Sequence, residues 1–449
     1  MNIGFISTRL AGTDGVSLET AKWVTVLRRM GHKIYYCAGE LEAGGPPGKA
    51  VPEMHFRDPR AKTLGARAFG GSKPDPTLLD DIARLAEPLL AGMREFVDTF
   101  GIEVLIIQNA LAIPMQLPLG LALAELITET LLPTIAHHHD FYWERKRFRT
   151  NCIPEFLDTY FPFDAPQMRH VVINSPAQGD LKARRGIEAS VVPNVFDFGT
   201  PPAQNAIEGP PSPDAFNHSL RDTLGLTNDH LMILQPTRVV PRKGIEMSIE
   251  LIRCLREPHN RQRLGKEPVL VITHHAGDEG MSYLHQLRQQ AQDAHVPLIY
   301  AATHFEPRRA WVRGKKVYSL WDAYVHADFV TYPSLYEGFG NALLETICFR
   351  QPAMVNRYSV YVADIAPLGF DLIEIDGIIV EDTVEEVIDT ITNPVRRREM
   401  VAKNFRLGAQ HFSYEVLEEK LQELLVQLGR HRARPSLFKG DRQIGTNDL

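Results

Sequence analysis

The sequence predicts an α/β protein of two parallel-sheet domains, and three observations carry the prediction. In each half of the chain, short runs rich in β-branched and aromatic residues alternate with amphipathic helical stretches, the pattern of strand–helix–strand units. Between the halves, residues 199–219 are crowded with Pro201, Pro202, Pro210, Pro211 and Pro213, which sustain neither helix nor central strand. Finally, 449 residues exceed what one core can hold, because single cores stop growing near roughly 250–300 residues.

Element by element, the first half reads as strands at 2–7, 33–37, 104–107, 134–137, 171–174 and 190–193, with helices at 17–30 and 78–100. Pro176 sits where a further helix begins, a position at which its missing N–H costs nothing. The second half restarts with strands at 231–235, 269–273, 298–300, 329–332 and 353–356. Its helices fall at 244–256, 282–294, 318–327 and 341–349. The expected organisation is a first domain over 1–198, a Pro-rich linker over 199–219 and a second domain over 220–412. A final helix over 413–430 has Val416, Leu417, Leu421, Leu424, Leu425 and Leu428 apolar, so it must dock, either locally or back on the first domain. Residues 431–449 read as a flexible tail.

Composition excludes several classes. With 44% hydrophobic and 23% charged residues the chain is neither disordered nor fibrous. A net charge of −6 without a long Lys/Arg run gives no reason to expect a nucleic-acid partner. Cys37, Cys152, Cys254 and Cys348 are far apart, which suits reduced thiols and a cytoplasmic location. The first residues read as a buried strand rather than a signal peptide. The most apolar stretch, 115–133, carries Glu125 and Glu129 at helical spacing and reads as a core helix, so no transmembrane segment is expected.

Five constellations could carry chemistry. Gly12-Thr13-Asp14-Gly15-Val16-Ser17 joins the first strand to the first helix. It is either an ordinary turn or a place where backbone approaches a ligand and a helix start offers N–H groups to an anion. It lacks the GxGxxG spacing of a dinucleotide site. Arg238 to Lys243-Gly244 follows a strand and opens a helix, where cations beside a helix start suit a pyrophosphate, a solvated basic loop being the alternative. Ser334 to Glu345 places Glu337 in a glycine-bearing loop and Glu345 more than one turn into the next helix, with the N–H groups of Gly338, Phe339, Gly340 and Asn341 at the helix start. Such carboxylates suit vicinal hydroxyls.

His137-His138-His139-Asp140 ends a strand, so two imidazoles can share a face while one turns away. Substrate contact, structural packing and metal binding all stand as readings, although no partner motif for a metal site exists and none is expected. Arg145 and Arg147, directly after, are either a solvated face or a contact for an acceptor's anionic group.

Taken in order, Gly15-Val16, the His-Asp step, Val192-Pro193-Asn194, Arg238 with Lys243-Gly244, and Tyr332-Pro333-Ser334 with Glu337-Gly338-Phe339-Gly340 and Glu345 resemble the family-4-type retaining glycosyltransferases of GT-B fold. This family includes sucrose, sucrose-phosphate and trehalose synthases and many mannosyl- and glucosyltransferases. The resemblance spans nearly the whole chain. It implies two Rossmann-like domains facing across a cleft, the first on the acceptor side and the second binding the nucleotide sugar. It implies a UDP- or GDP-sugar as donor, a hexose moved with retention, a small acceptor and no metal or other cofactor. Arg238 and Lys243 would hold the pyrophosphate, Glu345 the ribose and Glu337 the donor sugar, with Gly15 closing over the phosphates. His139 would meet the transferred sugar through its carbonyl. A GT-B epimerase or hydrolase acting on nucleotide sugars is the alternative. Nucleotide base, donor sugar, acceptor and oligomeric state are not fixed by these residues.

Overall fold

Parallel strands in this chain are nearly continuous apolar runs, because both faces of their sheets are covered by helices. The computed structural model describes residues 1–12, 14–73, 75–199, 211–276 and 280–432; most of the Pro-rich linker and of the tail lies outside them. The first sheet contains β1 (Asn2–Ser7), β2 (Lys33–Ala38), β3 (Gly48–Ala50), β4 (Val104–Gln108), β5 (Thr134–His138), β6 (Met168–Val172) and β7 (Ala189–Val191), in the order β3-β2-β1-β4-β5-β6-β7. The second contains β8 (His230–Gln235), β9 (Glu267–Ile272) and β10 (Leu298–Tyr300). A small satellite sheet of β11 (Phe305–Glu306), β12 (Ala310–Val312) and β13 (Lys315–Ser319) follows before β14 (Phe329–Tyr332), β15 (Ala353–Asn356) and β16 (Ile373–Ile375). The second main sheet has the order β10-β9-β8-β14-β15-β16, all neighbours parallel.

Both sheets therefore reverse their strand order once, between β1 and β4 and between β8 and β14. At such a switch point the loops leaving the two strands part to opposite sides, which opens a crevice at the carboxyl ends. The chain divides into two compact units. Among the described residues, one comprises 1–11, 27–171 and 418–432, the other 12–26 and 172–417. The division is not a single cut near residue 198. The first turns of the helix Gly15–Arg29 and the segment after 172 belong with the second unit, for bonding reasons described below.

Differences from the expected elements have local causes. The strand expected to reach residue 174 stops at Val172, because the Asn174 side chain caps the helix Ser175–Arg185, accepting from the Ala177 N–H at 2.8 Å. The helix expected from 318 starts at Leu320, since Tyr318 and Ser319 complete β13 and Ser319 forms a capping box with Asp322. The satellite sheet was not expected. Its hairpin turns on Arg313 and Gly314, both at positive φ, the conformation a two-residue hairpin demands. The apolar stretch forms the helix Leu117–Thr130, and Glu129 accepts from Arg94 Nε at 2.7 Å. Among the described residues no helix is long and apolar enough to cross a membrane.

Leu234 and Ile233 point to opposite faces of β8 and are both wholly buried, each in its own apolar cluster. Leu234→Ala should cost about 2–5 kcal/mol, read as a lower urea midpoint with an unchanged slope.

Candidate active site

The loop after β8 is fixed by its own apolar residues: Val239 and Val240 are buried, and Pro241–Lys243 forms one tight turn. Gly244 follows at φ +58°, and a Cβ there would stand 2.5 Å from the Pro333 carbonyl oxygen, so only glycine lets this turn meet the loop after β14. The Leu335 N–H donates to the Arg242 carbonyl at 2.8 Å, joining the two loops. Across that junction Lys243 Nζ donates to Glu337 Oε1, both side chains being almost completely buried. Arg242 adds a 3.1 Å bond to Glu337 Oε2 and a 3.0 Å bond to the Tyr336 carbonyl. Burial works to raise the Glu337 pKa, but the Lys243 and Arg242 cations outweigh it and hold the carboxyl below its usual value. Lys243 is lowered by burial, with Arg242 and Arg238 acting the same way and Glu337 against them. Arg238, exposed, thus belongs to the same cationic group.

The loop then climbs to the helix Asn341–Cys348. Ser334 is wholly buried, its carbonyl accepting from Asn356 Nδ2 at 3.1 Å. Gly338 and Phe339 present their carbonyls to Asn174 Nδ2 at 2.7 Å and to the Tyr358 hydroxyl at 2.7 Å. Gly340 takes φ +133°, and a Cβ there would reach 2.5 Å from the Tyr358 oxygen. With its carbonyls turned inward to these partners, the loop leaves the N–H groups of Phe339, Gly340 and Asn341 without a hydrogen bond among the described residues. Glu345, one turn further, accepts from the Tyr324 hydroxyl at 3.0 Å. Burial raises its pKa, with Tyr324 and Lys22 acting against that. The two acids eight residues apart are therefore in opposite states, Glu337 neutralised by cations and Glu345 short of partners.

Lys22 comes from the helix Gly15–Arg29. It donates to Glu19 Oε2 at 2.8 Å and to the Val195 carbonyl at 2.6 Å, while the Val195 N–H donates to the fully buried Glu19 at 3.3 Å. Asn194 Nδ2 bonds Asn341 Oδ1 at 2.8 Å. The bonds of Glu19 and Lys22 to Val195 tie the first turns of the helix to the second unit. They also bear on Gly15 and Val16. Of the two readings of that helix start, an ordinary turn or free N–H groups offered to an anion, the second needs those groups unfilled. Instead Asp14 Oδ1 accepts from the Val16 N–H at 3.1 Å and the Ser17 N–H at 3.2 Å, so a carboxylate already fills the position. Gly15 is exposed, with open space where a Cβ would lie.

In the first unit, alternation along β5 sorts the histidines. His137 Nδ1 and His139 Nε2 lie 3.0 and 3.2 Å from one atom, Gln108 Oε1, so both imidazoles share a face and share an acceptor. His138 turns the other way, 2.9 Å from His170 Nδ1, and His170 Nε2 is 3.1 Å from Asp164. The His139 N–H donates to Asn109 Oδ1 at 2.9 Å, and Asp140 accepts from Asn109 Nδ2 at 3.0 Å and Arg145 Nε at 2.6 Å. Arg145 is thus engaged by a carboxylate. Arg147 is exposed, its guanidinium 4.5 Å from the Phe148 ring centroid. Among the described residues no group of three or more metal-ligating side chains converges. Gln108 and Asn109, the polar end of a buried strand, were legible as candidates by that polarity alone. Tyr324 and Glu19 had no signal of their own.

No protein-family model matches the chain. It is 33% identical over 94% of its length, and 99% of the relative's, to mannosylglucosylglycerate synthase of Thermotoga maritima. Among solved structures, sucrose-phosphate synthase of Thermosynechococcus elongatus aligns with a TM-score of 0.63 at 14% identity, covering 96% of this chain and 99% of that one. The Anabaena protein HepE, solved in complex with UDP and glucose, aligns at 0.61 and 13% identity over 94% and 99%. Both likenesses concern the fold, which is GT-B. The class is that of nucleotide-sugar-dependent transferases. The chain belongs to the family-4-type glycosyltransferases and is an enzyme of hexosyl transfer to a small acceptor.

Burial first, and neighbouring imidazoles second, hold His137 and His138 well below the ordinary imidazole value. Unfolded, each regains a value near about 6.5, so their share of stability is whole above that pH and is lost as pH falls below it. His138→Asn should reduce the pH slope of unfolding free energy between pH 6.5 and 5 by up to about 1.4 kcal/mol per pH unit, measured by urea titrations of both proteins. An unchanged slope refutes the neutral state of this imidazole.

Proposed function

We propose that the enzyme transfers a mannosyl group from a nucleoside-diphosphate mannose to glucosylglycerate, with retention of configuration and without a metal ion. The observation that supports it is the cationic group of Arg238, Arg242 and Lys243 at the switch point of the second sheet, with Arg242 and Lys243 bonded to Glu337. The identity of the sugars follows the name of the Thermotoga maritima relative, which shares 33% of its residues over 94% of this chain.

In this reading Arg238 and Lys243 bind the pyrophosphate and stabilise the charge that grows as the anomeric carbon–oxygen bond breaks. The N–H groups from Gly338 to Asn341 serve the phosphate or the sugar, and Ser334 shapes the floor beneath them. Glu337 meets the sugar hydroxyls and Glu345 the ribose diol. The acceptor hydroxyl attacks the same face, its oxygen bonds to the anomeric carbon, and its proton passes to the departing phosphate oxygen. The carbonyl of His139 faces the transferred sugar. His137, His138, Asp140, Arg145 and Arg147 belong to the acceptor side, where the glycerate carboxylate calls for a cation. Gly15 and Val16 border the phosphates. The chain works in the cytoplasm, where nucleotide sugars are made.

The test is an assay of GDP-mannose, UDP-glucose and other nucleotide sugars with and without glucosylglycerate, with the product's anomeric configuration read by NMR. Mannosyl transfer with the donor's configuration retained is the expected result. Donor turnover that needs no acceptor, or an inverted product, overturns it. Lys243→Ala and Arg238→Ala should each lower kcat/KM by about 10²-fold or more, circular dichroism reporting that the fold persists.

A further inference from the structure

The loop after β9 carries a histidine to which the reaction above assigns nothing. β8 and β9 run parallel and end with Gln235 beside Ile272, so the loop that carries His274 and the loop that carries Arg238 leave adjacent strands at the same edge of the sheet. Its Nδ1 is 3.2 Å from Thr273 Oγ1, and Nε2 makes no hydrogen bond among the described residues. The ring is partly exposed, at the same carboxyl edge of the sheet as the cationic loop. The charged groups facing it are Lys243 and Arg238 from the loop after β8 and His275 from its own segment; Glu337, across the junction, is bound by Lys243 and Arg242. Burial first, then Lys243, Arg238 and His275, push its pKa down to about 4, so the free enzyme holds a neutral imidazole here.

A donor sugar nucleotide brings two negative charges to this place, on the reading that Arg238 and Lys243 hold its pyrophosphate. That reverses the field at His274. Two cations that kept a proton off become screened by an anion within reach of an unoccupied Nε2. We propose that His274 is a ligand of the donor pyrophosphate, neutral in the free enzyme and protonated in the complex, so that donor binding takes up a proton. Nε2 then donates to a phosphate oxygen, and a positive charge is added beside the leaving group only once the donor is seated.

The measurement is isothermal titration of the wild-type enzyme with GDP-mannose, and in parallel UDP-glucose, without acceptor, from pH 5 to 8 in two buffers of different ionisation enthalpy. These diphosphate diesters do not themselves titrate near neutrality. Affinity should rise by up to about tenfold per pH unit on acidification, with uptake of up to one proton. His274→Asn and His274→Gln, each checked for an unchanged unfolding temperature, should bind with a flat pH profile and no uptake. The same profile in either folded variant as in the wild type overturns the inference. Unchanged donor affinity in both Arg238→Ala and Lys243→Ala overturns the donor-site reading itself, and the inference with it.

Discussion

The buried ion pair of Lys243 and Glu337 is the constraint on which the second unit's site depends. Taking two charges out of water costs several kcal/mol per ion, and their attraction returns this only when geometry and further hydrogen bonds are good. Arg242 supplies the further bonds. A pair of hydrophobic residues would hold the two loops together at least as well, so the pair is poorly explained as glue. What it does accomplish is to fix Lys243 at the switch point of a sheet, with a carboxylate behind it that works against the lowering of its pKa by burial. Gly244 and Gly340 are the conformational conditions for this arrangement, each at positive φ and each leaving no room for a Cβ.

The two units carry different chemistry at the corresponding edges of their sheets. In the second, charge dominates: Arg238, Arg242, Lys243, Glu337 and Glu345, with N–H groups left open at a helix start. In the first, the polar groups are largely neutral and bonded to one another, with Gln108 bridging His137 and His139 and Asn109 joining His139 to Asp140. Charge suits a pyrophosphate, whose bond to the sugar breaks with growing negative charge. Neutral donors and acceptors suit hydroxyl groups, which must be oriented without being ionised.

The parallel sheets were legible because their strands are short apolar runs punctuated by glycine and proline, and the order of elements alone predicts doubly wound units. The Glu337 to Glu345 string was legible because acids eight residues apart around a glycine turn have few other uses. What could not be read was pairing across sequence distance. Asp14 is the exception, because an aspartate just before a helix start is a short-range cap signal that the residue order does carry. That Glu19 and Lys22 would anchor Val195, and that Tyr324 would meet Glu345, depends on packing of segments 176 and 21 residues apart. The satellite sheet escaped for another reason: its strands are two to five residues long and the longest opens on two lysines, so no hydrophobic alternation marks them.

Glu345 shows how the arrangement turns on a ligand. Its carboxylate is raised by burial and has one hydroxyl donor, Tyr324, with Lys22 near enough to act electrostatically but already bonded to Glu19 and Val195. Partly accessible and met by one hydroxyl, that carboxylate keeps acceptor capacity for a ligand. On the proposed reading the ribose diol, which brings two O–H donors in one rigid piece, would use it. Glu337 is already met by Lys243 and Arg242, so the sugar hydroxyls proposed for it would add to bonds that exist without a ligand. One carboxylate therefore organises cations before anything binds, and the other has a single partner until something does. That asymmetry, set by a tyrosine on one side and two cations on the other, gives the same residue type two roles within a single turn and helix.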